Sequence, residues 1–129
     1  LASKGIVIKE DADKLGVFLN GIIFETEEVA RKTLREAAAL TKDAVIRHLP
    51  RSNNDKEGHV HMQDDVHASV RKSKDGGLYA SVKGGKKTGT LWHLVNDGTY
   101  HSRATHFMDK AMAEVGPEIE AILDKEMGG

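Results

Sequence analysis

The chain contains no cysteine, so neither disulfides nor thiolate metal centres can hold its fold together, and a reducing compartment suits it. Aromatic residues are scarce, at 5%, too few to line a sheet face with the stacking platforms that grip unpaired bases. Neither sign of charge is in excess: 19 basic and 20 acidic side chains leave a net charge of -1, which argues against a phosphate backbone as the main partner. Specific nucleic-acid binding is therefore not expected. Long apolar runs are missing as well. The greasiest stretch, residues 15–24, is interrupted by Gly16, Asn20 and Gly21 and falls far short of the roughly twenty residues that cross a bilayer. No membrane anchor is expected, and Glu10, Asp11 and Asp13 stand where a secretory leader would be positive. The opening Leu1 in place of Met is the start expected of a processed or trimmed chain.

What is present suits one domain over residues 1–129, large enough to bury roughly two-thirds of its unfolded surface. The β-branched GIVIK at residues 5–9 reads as a strand, ended by Glu10 and Asp11. Asp11 or Asp13 could then cap a short helix carrying Leu15, Phe18, Leu19, Ile22 and Ile23, weakened by its glycines. Residues 25–49 give a stronger signal. Thr26 is a ready N-cap, Glu25, Glu27 and Glu28 favour the positive end of the dipole, and Ala30, Leu34, Ala37, Thr41, Ala44 and His48 recur at helical spacing. Leu49-Pro50 ends that helix. Residues 51–65 are the most polar stretch and predict a mobile loop with an edge strand at 59–62.

A hairpin follows. Val66, Ala68 and Val70 alternate with polar residues, as do Leu78, Ala80 and Val82, and residues 74–77 supply the turn. Residues 84–90 read as a second flexible turn leading into a buried strand at 91–95, which Asn96, Asp97 and Gly98 stop. The last helix is expected from about residue 105 to 127, kinked or split in two at Gly116-Pro117. The predicted fold is α+β: an antiparallel meander of three to five strands covered by the long helix of the N-terminal half and a kinked C-terminal helix.

Seven histidines invite a metal reading. His59 and His61 on a strand would point to one side, with Asp64, Asp65 and His67 close in sequence, which suggests as the runner-up function a small metal-dependent nuclease. The pattern fixes no ligand set, so no metal, cofactor or catalytic residue is assigned. Nucleophilic catalysis has less support still: no Gly-x-Ser-x-Gly elbow occurs, and the glycine pairs lie in hairpin turns rather than before a helix. Lys83, Lys86 and Lys87 form a small basic spot. On a strand, Trp92 would point away from Leu91, His93 and Val95, so either both faces of that strand are buried or Trp92 sits at an interface with another subunit, the favoured reading.

Residues 91–112 carry a family likeness. Trp92, Val95, Asp97, Gly98, Thr99, Ala104, Phe107 and Ala111, with Leu49-Pro50 and Gly58 upstream, resemble the tail-completion, or head-to-tail joining, proteins of long-tailed bacteriophages. The resemblance implies a structural virion protein rather than an enzyme. It would form a ring, hexameric on the family's pattern, at the neck between head and tail. Its partners would be other copies of itself, the head connector or stopper protein and the tail tube protein, after assembly in the host bacterial cytoplasm. On this reading Gly98 supplies the turn, Asp97 and Thr99 hydrogen-bond around it, and Phe107 docks the last helix on the sheet. Arg51, Lys56, His59, Lys86, Lys87 and Trp92 would touch neighbouring subunits or partners.

Overall fold

The computed structural model describes residues 5–20, 24–49, 61–86, 88–100 and 103–127. Strand β1, Gly5–Asp11, pairs with β2, Lys14–Asn20, in a tight hairpin whose last pair is Asp11 with Lys14. The short helix expected after Asp13 is thus a strand. Its apolar residues alternate rather than recur every third or fourth place: Leu15 and Val17 are fully buried on one side, while Phe18 points to the other and is 37% exposed. Gly16, which weakened the helix, has a use in the strand. The Phe18 ring lies over it, and a Cβ there would fall 2.5 Å from a ring carbon.

Strands β3, Val66–Lys72, and β4, Leu78–Gly84, form the expected second hairpin. Gly76 takes a φ of 91° in its turn, where the Ser73 N–H donates to the Gly77 carbonyl at 2.7 Å. The sheet is antiparallel with order β1-β2-β4-β3, so β4 is paired on both sides. That occupancy removes the strand expected at 91–95, because no edge of β4 remains for it. The chain instead winds through a 3-10 turn, Gly89–Leu91, into a short helix α2, Trp92–Asp97. Burial there follows the helical period: Trp92 is 0% and Asn96 1% exposed, whereas Leu91 and Leu94 are 43% and 40% exposed.

Helix α1, Glu27–His48, begins as its sequence dictates, with the Thr26 hydroxyl accepting from the Val29 N–H at 3.2 Å. Its alanine-rich stripe lets it lie close to its neighbours, and the buried hydroxyls of Thr33 and Thr41 donate to carbonyls one turn back. The helix packs over β3 and β4, and α3, Phe107–Met127, lies beside it over β1. Expected as kinked or split in two, α3 is not split: it runs as one helix through Pro117. The proline forfeits the bond to Ala113, but both residues are on the exposed side, where water can satisfy that carbonyl.

Leu15, Val17, Leu34, Val45, Val82, Trp92, Phe107 and Val115 form the core between sheet and helices. Residues 51–60 of the expected loop, with the start of its edge strand, lie outside the described residues. Met62–Asp64 is a 3-10 turn rather than strand, held to α1 by Gln63, whose amide donates to the Ile46 carbonyl at 2.8 Å.

Candidate functional site

The junction from α2 to α3 is built around Asn96, which the sequence marks only as a turn residue. Its buried side-chain carbonyl accepts from the Met108 N–H at 3.0 Å, satisfying a first-turn donor of α3 from another element. Its backbone carbonyl accepts from His106 N–H at 2.9 Å, and that of Val95 accepts from both the N–H and the hydroxyl of Thr105. His106 itself adopts a φ of 52°, an unusual geometry for a residue with a Cβ. The helical spacing of Trp92 and Asn96 was the signal that could have revealed this role.

Gly98 closes α2 with a φ of 86°, its N–H donating to the Leu94 carbonyl at 2.8 Å. Asp97 is exposed and accepts from the Asn96 side chain at 3.0 Å, and Thr99 follows in an isolated bridge. Phe107 is fully buried and meets the Trp92 ring edge-on, 5.1 Å between centroids. Trp92 therefore lies inside the subunit's own core and offers no surface to a partner, which corrects the interface role expected of it. Gly84 gives it room: a Cβ there would lie 2.6 Å from the indole nitrogen. That buried indole N–H has no hydrogen-bond partner among the described residues.

Two aspartates anchor this part of the chain, Asp13 fastening α2 to the first hairpin and Asp65 tying the start of β3 to the turn after β4. Asp13, at the β1–β2 turn, accepts from the backbone N–H of His93 at 2.9 Å and contacts its Nδ1 at 2.7 Å. Partial desolvation pushes the Asp13 carboxyl up, but these bonds prevail and hold it below the usual carboxylate range. Asp65 contacts His67 Nε2 at 2.9 Å and accepts from the Thr88 hydroxyl at 2.9 Å and the Gly85 N–H at 3.1 Å. The bond from His67 does most to keep its carboxyl low. His67 thus serves the turn before β3.

The other sequence-selected residues are dispersed. Arg51, Lys56, His59 and Lys87 lie outside the described residues, and Lys86 is exposed beside a groove of about 570 Å³ that also contains Asp11, Asp13, Lys14, His67 and Lys83. Among the described residues no group of three or more His, Asp or Glu side chains could hold a metal ion. No described helix is long and apolar enough to cross a membrane.

An acidic cluster sits at β1, an outer strand of the sheet. Glu10 hydrogen-bonds to Asp109 of α3 and lies near Asp97. Partial desolvation, that hydrogen bond and the repulsion of both aspartates push its carboxyl up to about 7, against the opposing effect of His106. His106 Nδ1 is 3.2 Å from Asp109.

These elements match a known family. The model described as "Bacteriophage HK97-gp10, putative tail-component" fits residues 10–98, from the end of β1 to the glycine that closes α2. The chain belongs to this family. It is accordingly a bacteriophage tail structural protein, which agrees with the tail-completion likeness of its sequence. The matched span holds three of the sheet's strands complete, with α1 and α2, while α3 lies beyond it. Comparisons with curated proteins and with solved structures find no match.

Proposed function

We propose that the protein is the subunit of a ring at the head–tail junction of a long-tailed phage or prophage, completing the tail tube so that the capsid connector can bind it. Six copies would make the ring. The observation that carries this reading is the sheet of a family tail component whose outer strands, β1 and β3, each pair with only one other strand among the described residues. Unpaired edges present rows of backbone donors and acceptors, which a neighbouring copy can satisfy. The groove holding Lys86 would face the connector or tube, where exposed cations and glycine-rich backbone can adapt to a partner. The role is structural rather than catalytic, and the virion is the site of action.

Electron microscopy of purified tail tubes incubated with the protein tests this. The expected result is a ring at one end of each tube and a gain in head attachment. Tubes that stay bare, and tails no better at joining heads, would overturn it.

A further inference from the structure

The surroundings of the sheet's two outer edges differ in sign. Beside β3, helix α1 leaves a groove of about 440 Å³, floored by Ala38, Ala39, Ala68 and Val70 and overlooked by Arg31, Arg35 and Lys42. Glu27 accepts from both Arg31 and Lys72, at 3.2 and 2.8 Å. Arg35 and Lys42 have no ion-pair partner among the described residues. The opposite edge carries Glu10, Asp97 and Asp109, with His106 as the counter-charge. A chain of net charge -1 has thus placed cations along one side of its sheet and acids along the other.

The pairing register connects the two sides. Glu10 pairs with Leu15, Leu15 with Val82, and Val82 with Ala68, which makes one row across the sheet. Leu15 and Val82 are fully buried, so the row lies on the helix-covered face. Every neighbouring pair is antiparallel, and a second copy set beside β3 in the same orientation would present β1 antiparallel to it. Continued without stagger, the row brings that copy's Glu10 next to Ala68, on the floor of the basic groove. Ala68 is small and exposed, which leaves the space open.

We propose that the groove between α1 and β3 receives the β1 edge of a second copy of this chain, so that Arg35 and Lys42 of one subunit meet Glu10 and Asp109 of the next. The inference rests on the ring reading and names the contact by which the ring is built. Two different surfaces meet, so the contact is head-to-tail and repeats until rotation closes it. Strand pairing supplies backbone hydrogen bonds, and the charges select the partner edge and its direction. The cations also offset the repulsion between Glu10 and Asp109.

Sedimentation velocity of the full chain at low salt, with circular dichroism to confirm folding, reads the contact. The native chain should associate, and added salt should weaken it. Arg35→Glu with Lys42→Glu should lower association about tenfold or more, and Glu10→Lys with Asp109→Lys should do the same. Mixing the two folded variants should restore association, since every groove then meets an edge of opposite sign. A native chain that stays monomeric at low salt, a groove variant that associates like the native chain, or a mixture that fails to recover would each overturn the contact. Rings that the groove variant still forms on tail tubes would overturn it while leaving the ring reading intact. Tubes left bare by the native protein would overturn the ring reading itself.

Discussion

Asn96 shows how much can depend on a single amide. Its side chain joins two helices that share no strand, and its burial leaves no water to replace a lost partner. Asn96→Ala should cost about 1–3 kcal/mol, read as a lowered thermal midpoint, and Asn96→Asp should recover part of it by keeping the acceptor. Gly98→Val is expected to destabilise by about 1–2 kcal/mol or more, since a branched side chain is strained at a φ of 86°. Denaturant unfolding would measure it, and a midpoint equal to the native one would contradict this account of the turn. Glu10 makes stability depend on pH. Its folded carboxyl is raised from 4.5 to about 7, so the folded state binds the proton more tightly than the unfolded chain does. Stability should therefore fall as the pH rises from about 4.5 through 7, and Glu10→Gln should flatten that slope. Because Glu10 remains exposed, solvent screening keeps the effect small. At this scale the sequence was partly legible: Gly98 and Phe107 stand out by residue type, whereas an asparagine beside Asp-Gly reads as turn punctuation until its helical partner Trp92 is seen.

Among the elements, α1 and the β3–β4 hairpin were legible because several local signals agreed, from the Thr26 cap to the alternation across Gly76. Residues 14–20 and 91–97 were misread in opposite directions, for one reason. A short apolar run carries too few periods to separate strand from helix, and the choice falls to tertiary pairing. Here β2 lies between β1 and β4, and with β3 it fills both edges of β4, which leaves the Trp92 segment no edge of the preceding strand to pair with. Helix α3 carries the remaining local conflict, a proline in its interior. Pro117→Ala should restore the bond to Ala113 and raise stability by about 1–3 kcal/mol, seen as a higher thermal midpoint. A lower midpoint would show that Pro117 has a packing role the helix cannot spare.

The described residues form a sheet with one face under helices and two outer edges, cationic along β3 and acidic along β1. No single stretch of sequence displays that polarity, because Glu10, Asp97 and Asp109 are scattered through the chain and converge only in the fold. Family membership makes the protein a phage tail component, and the edges suggest how copies would join. A three-dimensional reconstruction, by electron cryomicroscopy, of tail tubes carrying this protein is the most direct measurement. The account predicts a closed ring in which strands run on from β3 of each copy into β1 of the next, with Arg35 and Lys42 facing Glu10 across every boundary. A ring whose sheets stay separate, or tube ends without any ring, would contradict it.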